Sequence, residues 1–220
     1  MPTGIHENQV IAAYQFVGRL TEAEALININ DGTEYTLTKV GTEVWNAESG
    51  FYIPATNNAG MNNTELRNLA SSIYSAAFGF SGADASDTSN NIGGLMPSTN
   101  RFLTIKGYIA NAGYVKYPII NAGATASGVV RGPERYNNGV LSGNWATTSE
   151  LYKDGQSLSL TSGTNSMSST HIGTKVFGQC GNGTVSSFYV TAFVLYNTVL
   201  TSSQMMELSD KIKALGGAGA

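Results

Sequence analysis

The sequence predicts an all-β protein: a two-sheet antiparallel jelly-roll β-sandwich with a short C-terminal helix. Three observations lead to this fold class: many short apolar blocks, turn-forming dipeptides between them, and a clear helical pattern near the end of the chain. No long linker or change in composition divides the 220 residues, so we expect a single domain over residues 1–220.

The apolar blocks have the composition of β-strands. Most are about five to ten residues long and rich in Val, Ile, Tyr, Phe and Thr, which favour strands. Asp31-Gly32, Asn138-Gly139 and Asp154-Gly155 offer the positive φ angles that tight hairpins require. Many short strands with turns at this spacing are typical of a sandwich. The blocks cover residues 10–17, 26–29, 34–40, 44–53, 102–110, 114–120, 128–131, 151–153, 157–160, 171–177 and 186–196.

The clearest strand lies at residues 186–196 and is largely apolar on both sides. Because side chains alternate along a strand, its residues divide into two faces. A strand with two apolar faces is expected at the centre of a sheet that is covered on both sides. The predicted faces are Phe188, Val190, Ala192, Val194 and Tyr196 on one side, and Tyr189, Thr191, Phe193 and Leu195 on the other.

The clearest helix follows this strand. Thr201-Ser-Ser-Gln204 has the form of a capping box with Thr201 as N-cap. We expect its apolar stripe to pack on the sandwich rather than bind a partner. The C-terminal helix is defined by the stripe Met205, Leu208, Ile212 and Leu215, by Lys211 and Lys213 near its negative end, and by Gly216 as terminator.

Further upstream, residues 62–80 predict a short helical turn to about Ser71, followed by a strand.

Composition excludes several classes of protein. Charged residues make up 12% of the chain and the net charge is −3, which disfavours nucleic acid as a partner. A hydrophobic content of 41% is sufficient for a packed core and argues against disorder. No apolar run approaches the roughly 18 residues of a membrane span. Cys180 is the single cysteine, so no intrachain disulfide can form.

Several segments together resemble a known family. Residues 187–208, SFYVTAFVLYNTVLTSSQMMEL, combine a strand, a Tyr-Asn-x-x-Leu turn and a capped helix, and residues 151–155 form a Leu-Tyr-x-Asp-Gly hairpin pattern. With strand-like segments at residues 10–16, 50–52 and 171–173, this order resembles LamG-like, concanavalin A-like jelly-roll domains. Trp145 departs from the family's pattern, because it lies only six residues before Leu151 of the hairpin, whereas the family's tryptophan usually lies further upstream. The resemblance implies two packed antiparallel sheets, a fold used in lectins, adhesive modules, some glucanases and viral appendages.

The chain lacks the residues that catalysis in this superfamily would need. Its retaining glucanases carry a Glu-x-Asp-x-Glu strand, because the reaction needs two carboxyl groups about 5 Å apart. No such pattern occurs here, and Glu43 and Glu48 are expected on opposite faces of a strand. His6 and His171 have no nucleophile motif beside them. We therefore expect no enzymatic activity.

Two candidate sites remain, each with a simpler alternative. We expect no cofactor; the one alternative is calcium, for which Asp84 and Asp87 in the polar loop 81–91 offer hard oxygen ligands, whereas the simpler interpretation is a solvated loop. A second group combines aromatic rings with amide and guanidinium groups, as carbohydrate sites do. The alternative is that its rings pack in the core and Arg135 pairs with Glu134. This second group comprises Arg131, Arg135, Tyr136, Asn137, Asn138 and Trp145.

The function that we expect is that of a non-catalytic structural protein of a bacteriophage virion, as a capsid decoration, head fibre or tail appendage. Residues 1–7 show no secretory signal, whereas the polar, uncharged composition suits an exposed protein; a virion protein made in the host cytoplasm reconciles both. Its partners would be other virion proteins, further copies of itself or surface polysaccharide. The alternatives are a secreted, free-standing lectin or adhesion module, and an assembly module that pairs through a sheet edge.

Overall fold

In the computed structural model, the strands form two antiparallel sheets that pack face to face, which confirms the predicted fold class. The structure describes residues 1–32, 34–56, 59–83, 92–98, 101–108, 116–121, 129–131, 136–145, 149–163, 175–179 and 187–216.

Strands dominate the described residues, as the short apolar blocks predict. They are β1 (Val10–Gln15), β2 (Thr38–Lys39), β3 (Val44–Asn46), β4 (Gly50–Ile53), β5 (Gly60–Asn62), β6 (Ser75–Ser81), β7 (Ile92–Ser98), β8 (Arg101–Tyr108), β9 (Lys116–Asn121), β10 (Val129–Arg131), β11 (Gly139–Trp145), β12 (Ser149–Lys153), β13 (Gln156–Ser157), β14 (Thr161–Gly163), β15 (Phe177–Gly178) and β16 (Phe188–Tyr196). The helices are α1 (Glu22–Ala25), α2 (Thr64–Asn68) and α3 (Ser202–Ala214), with 3-10 turns at Glu7–Gln9 and Ala70–Ser72.

Two predictions for the first third of the chain have different outcomes. The helical turn followed by a strand is confirmed, because α2 and the Ala70–Ser72 turn precede β6. The strand predicted at residues 26–29 is wrong. Thr21 caps α1 by accepting the N–H of Glu24, so the apolar residues that follow belong to a helix end and a loop.

Strand β16 lies at the centre of one sheet, here called sheet A. The order in sheet A is β13-β12-β11-β6-β16-β4-β3, and β1 also pairs with β16. One edge of β16 pairs with β6, while β4 and β1 share its other edge. The second sheet, sheet B, has the order β14-β10-β9-β8-β7-β15-β5-β2 within the described residues.

A β-bulge in β16 corrects the predicted faces of this strand. Both sides are covered, as predicted, but Phe188 and Val190 face the core between the sheets whereas Ala192 lies on the outer face. The register shifts between Val190 and Ala192, and the carbonyl of Thr191 accepts the N–H of Phe16 at 2.9 Å. The extra residue reverses the alternation, so the residues beyond it exchange faces.

The core between the sheets is rich in aromatic rings. Phe177 of sheet B stacks on Phe193 of sheet A with 5.7 Å between ring centroids. Phe78 and Phe188, also from sheet A, meet the same ring at 5.2 and 5.9 Å. Phe177 therefore joins two strands of sheet A to the facing sheet.

Helix α3 forms as the sequence predicts and covers part of the outer face of sheet A. The Thr201 N–H donates to Gln204 Oε1 at 2.9 Å, and the Gln204 N–H donates to Thr201 Oγ1 at 3.3 Å, which completes the capping box. Leu215 is 37% exposed at the helix end, and Gly216 follows with φ of +86°. The buried residues of the stripe are Met205, Leu208 and Ile212, which pack against Val140, Tyr152, Ala192, Val194 and Tyr196. No helix in the described ranges is long and apolar enough to cross a membrane.

The N-terminal residues bind the exposed side of α3. The Thr3 N–H donates to the carboxylate of Glu207 at 2.7 Å, and the Lys211 ammonium donates to the same carboxylate at 2.5 Å. These donors stabilise the charged form and lower the pKa of Glu207 to about 2. Gln204 Nε2 also donates to the carbonyl of Thr3 at 3.1 Å. Residues 1–5 are thus tied to the helix.

A buried polar network holds the turn between β16 and α3. Asn144 Nδ2 donates to the carbonyl of Leu200 at 2.9 Å and to Glu150 Oε2 at 2.6 Å. The hydroxyl of Ser75 donates to Asn144 Oδ1 at 2.6 Å and accepts the N–H of Leu200 at 3.0 Å. The Tyr152 hydroxyl donates to Glu150 Oε2 at 2.9 Å. Strands β6, β11 and β12 thereby fix the Tyr-Asn-x-x-Leu turn.

Of the three predicted hairpin dipeptides, Asp154-Gly155 joins paired strands. It connects β12 and β13, and both its residues have positive φ, at +51° and +79°. Asn138-Gly139 instead leads into β11, and Asp31-Gly32 forms a turn in the loop after α1, so the hairpin prediction is wrong for these two.

Replacing Gly155 with alanine is expected to lower the free energy of unfolding by more than about 1 kcal/mol. An alanine would be strained at this φ, and its Cβ would lie 2.6 Å from Met206 Cα of α3. Gly32→Ala is the matched control, because Gly32 has φ of +73° with nothing within 4 Å of the added Cβ. Urea unfolding of both variants separates the backbone strain from the clash. If both variants lose the same free energy of unfolding, the close approach of the added Cβ to α3 does not destabilise the protein.

Candidate functional site

The structure separates the residues predicted to bind a ligand. Asn137 and Asn138 are exposed just before β11, and Tyr136 is half-buried with the Lys153 ammonium 5.0 Å from its ring centroid. Trp145, at the other end of β11, is 2% exposed and belongs to the core between the sheets. It cannot offer a ring face to a sugar, which corrects that part of the prediction. An aromatic residue in a strand does not reveal its face until the register is known.

The other residues predicted to bind a ligand or a metal ion lie outside the part of the chain, or outside the side chains, that the structure describes. Arg131 ends β10, but its side chain is not described; Arg135, Asp84 and Asp87 lie in residues that the structure does not describe. The predicted sites at these residues therefore stay predictions. Among the described residues, no group of three or more His, Cys, Asp or Glu side chains is placed to hold a metal ion.

The two carboxylates considered for catalysis lie outside strands, so the prediction of opposite strand faces is wrong. Glu43 is buried just before β3 and accepts the N–H of Gly41 at 3.0 Å and that of Gly60. Glu48 is exposed in the turn between β3 and β4, where its N–H donates to Asn46 Oδ1 at 2.8 Å. Glu43 thus joins the loop before β3 to the start of β5.

A concave surface of mixed chemistry, here called the polar groove, lies where β1 meets the loop after α1, the Ala70–Ser72 turn and the end of β16. Its volume is about 460 Å³. One aromatic ring, several side-chain amides and several carboxylates share its wall, with Val10, Ile11 and Leu69 as the apolar part. Its polar and aromatic residues are Glu7, Asn8, Asn30, Asp31, Glu34, Tyr35, Ser72 and Asn197.

The loop after α1 is fixed to β1 by asparagine side chains. Asn28 is fully buried, and its Oδ1 accepts the N–H of Ala13 at 2.9 Å and that of Asn30 at 3.1 Å. Asn30 Nδ2 in turn donates to the carbonyl of Val10 at 3.0 Å. Because both residues bind the backbone of β1, the groove wall is held in place by the sheet.

Tyr35 supplies the aromatic part of the groove and has an unusual backbone. Its φ of +60° lies in the left-handed region, which few residues other than glycine adopt. The buried hydroxyl of Tyr14 donates to the Tyr35 carbonyl at 2.5 Å and thereby holds this conformation. Burial, followed by the negative charges of Glu34, Glu65 and Asp31, raises the pKa of the Tyr35 phenol.

Asn197, from the turn after β16, also lines the groove. Its N–H donates to the carbonyl of Gln9, and its Nδ2 donates to the carbonyl of Asn8, both at 3.0 Å. Asn197 belongs to the Tyr-Asn-x-x-Leu motif, but the sequence does not reveal the groove, because its walls come from distant parts of the chain. The positive φ of Tyr35 leaves no signal in the sequence.

A pair of tyrosines forms a second aromatic surface on the outer face of sheet A. Tyr52 and Tyr189 are half-buried, with ring centroids 5.2 Å apart. Val44, which pairs with Tyr52 across the strands, is 60% exposed. The carbonyl of Asn137 accepts the N–H of Ala83, two residues after Ser81, which pairs with Tyr189. The segment that carries the exposed Asn137 and Asn138 is therefore hydrogen-bonded to the chain just after β6.

Another cavity, of about 410 Å³, lies between α3 and β1. Val10, Ala13, Leu208 and Ile212 give it a largely apolar wall. Val10, Leu208 and Ile212 belong to the cluster that packs α3 onto sheet A, and Ala13 packs against this cluster. We therefore interpret this cavity as part of the seam between helix and sheet.

These features define a two-sheet antiparallel β-sandwich with one face partly covered by a C-terminal helix. The chain is similar to the binding domain of botulinum neurotoxin DC, solved with rat synaptotagmin II, at TM-score 0.60 and 11% identity over 94% of this chain and 52% of the other. It is also similar to Trypanosoma rangeli sialidase, at TM-score 0.59 and 15% identity over 94% of this chain and 33% of the other.

A structure of botulinum neurotoxin type C, titled for cell entry that depends on two ganglioside molecules, matches at TM-score 0.53 and 12% identity, over 94% of this chain and 52% of the other. The chain therefore spans about half of the toxin chains and a third of the sialidase. No family model matches the sequence, and no curated protein matches it. At these identities, the similarity establishes the fold.

Proposed function

We propose that this protein is a non-catalytic, lectin-like module that binds a carbohydrate in the polar groove. One observation carries the proposal: Tyr35 shares a concave surface of about 460 Å³ with amide and carboxylate side chains. A sugar offers an apolar ring face, which stacks on an aromatic side chain, and hydroxyl groups, which bind amides and carboxylates. Small-molecule sites commonly combine a concave shape with a few fixed polar groups.

The rigidity of the groove supports the proposal. The Tyr35 backbone is held by Tyr14, and the amides of Asn30 and Asn197 are held by backbone carbonyls. A ligand would not have to order these groups on binding, so less of the interaction energy is lost. The interaction with gangliosides named for the similar toxin structure is consistent with glycan binding by this fold.

Tyr35→Asn is expected to weaken carbohydrate binding at least tenfold, about 1.4 kcal/mol. Asparagine removes the ring but tolerates a positive φ, so the backbone is disturbed less than by alanine. Tyr35→Phe keeps the ring and is expected to retain most of the affinity. Glycan-array screening identifies the ligand, and isothermal titration of the best glycan measures each variant. Unchanged affinity of Tyr35→Asn would contradict binding in the groove.

The tyrosine pair is the second candidate surface, because it combines two half-buried aromatic rings and because the Asn137 carbonyl binds the chain just after β6, the strand that pairs with Tyr189. The predicted residues Arg131, Arg135 and Asn138 lie in the same part of the sequence as Asn137. Tyr189→Ala is therefore the comparison for Tyr35→Asn. Loss of binding in Tyr189→Ala alone would place the carbohydrate on this surface. A flat array signal for the wild type would contradict a lectin function altogether.

We further propose that the module acts in a bacteriophage virion, as a capsid decoration, head fibre or tail appendage. Low charge, abundant Gly, Ser, Thr and Asn, and a sandwich without intrachain disulfides support an exposed protein that matures in a reducing cytoplasm. Its partners would be other virion proteins or further copies of itself. Mass spectrometry of purified virions tests this proposal. Absence of this protein from the virions would contradict it and would favour the secreted lectin.

A further inference from the structure

The charge of the polar groove narrows the class of its ligand. Glu7, Asp31 and Glu34 are exposed in its wall, and none of the described lining residues is Lys, Arg or His. The ion pairs found among the described residues join Lys39 to Glu22, Lys153 to Asp154 and Lys211 to Glu207. The three groove carboxylates take part in none of these pairs. At neutral pH they give the groove a formal charge of about −3.

The same charges act on the aromatic ring where a sugar would stack. Glu34 and Asp31, together with Glu65 of α2, contribute to the raised pKa of the Tyr35 phenol. Their negative potential therefore reaches the ring itself. A carboxylate on a ligand that stacks there would be repelled by several like charges.

The hydrogen-bonding groups of the groove point to the same ligand class. Ionised carboxylates can only accept hydrogen bonds. The side-chain amides of Asn30 and Asn197 each already donate to a backbone carbonyl of β1 or of the segment before it. The three carboxylates thus add acceptors to the wall, which suits a ligand that supplies donors, as the hydroxyl groups of an uncharged sugar do.

We propose that the groove selects uncharged saccharides and rejects saccharides that carry a carboxylate, such as sialylated glycans. This inference rests on the proposed carbohydrate-binding function and names its ligand class. The selectivity comes from Asp31, Glu34 and Glu7, whereas Tyr35 provides the stacking surface common to both kinds of sugar. Removal of the charges therefore changes which sugar binds, whereas removal of the ring weakens binding in general.

The test compares matched glycans that differ in one sialic acid, with lactose and 3′-sialyllactose as the probe pair, by array and titration. Wild-type protein is expected to bind the uncharged member at least tenfold more tightly. The double variant Asp31→Asn, Glu34→Gln is expected to bind the sialylated member at least tenfold more tightly than wild type. Its affinity for the uncharged member is expected to fall, because two acceptors of sugar hydroxyls lose their charge, so the ratio of the two affinities is the readout. Salt should reduce the discrimination, because it screens exposed charges.

Glu207→Gln, which removes a carboxylate on α3 away from the groove lining, is the matched charge control and should leave the preference unchanged. Equal or tighter wild-type binding of the sialylated member, lost in Tyr35→Asn, would overturn the selectivity while the groove remains the site. Binding that Tyr35→Asn does not affect would instead overturn the proposed function, and the selectivity with it.

Discussion

Replacing Phe177 with alanine is expected to lower the free energy of unfolding by about 3–5 kcal/mol. Phe177 is fully buried, and its ring meets Phe78, Phe188 and Phe193 of the opposite sheet at centroid distances of 5.2 to 5.9 Å. Truncation removes these contacts and leaves a cavity between two sheets that cannot close fully around it. Guanidinium unfolding followed by tryptophan fluorescence measures the loss.

Leu20→Ala is the control for this substitution, because Leu20 is 88% exposed and loses little contact on truncation. Its free energy of unfolding is expected to stay within about 0.5 kcal/mol of the wild type. A Phe177→Ala protein as stable as this control would mean that the sheets do not depend on the aromatic cluster for their packing.

Replacing Asn144 with alanine is expected to cost about 3 kcal/mol and to loosen α3. The side chain binds the N–H and carbonyl of Leu200, the Ser75 hydroxyl and Glu150. Without it, several buried polar groups lose a partner, and each unsatisfied group costs about 1–3 kcal/mol. Hydrogen exchange should show faster exchange in α3, because the turn before the helix is no longer fixed.

Ser142→Ala provides a matched control on the same strand. Ser142 is buried, and its hydroxyl has no hydrogen-bond partner in the structure as described. Its removal is expected to change the free energy of unfolding by less than about 1 kcal/mol, since no hydrogen bond is lost. If Asn144→Ala unfolds no more easily than Ser142→Ala, the network is not what holds the turn.

Local patterns predicted the elements that local interactions determine. The capping box at Thr201 and the positive φ angles of Asp154-Gly155 form as predicted, because each depends on residues that are neighbours in sequence. The bulge at Thr191 was not predicted. It depends on how β16 pairs with strands far away in the chain, and no residue type marks it.

In the candidate site, too, features set by neighbouring residues could be predicted, whereas features set by distant parts of the chain could not. The exposed amides of Asn137 and Asn138 were found from the sequence, because polar residues beside a turn tend to be exposed. The burial of Trp145 could not be predicted, because it depends on the register of β11 between β6 and β12. The polar groove joins Glu7, Tyr35 and Asn197, which only the folded chain brings together.

The position of β16 in the chain has a consequence for how the protein is made. This strand lies near the end of the sequence, yet β6, β4 and β1 all pair with it, and Val10 pairs with Tyr196. On the ribosome, the earlier strands of sheet A have no central partner until residue 196 has emerged. Their edges stay open during synthesis, which exposes them to pairing between nascent chains. Folding of sheet A is therefore expected to wait for β16 and to be slow, as its long-range contacts dictate.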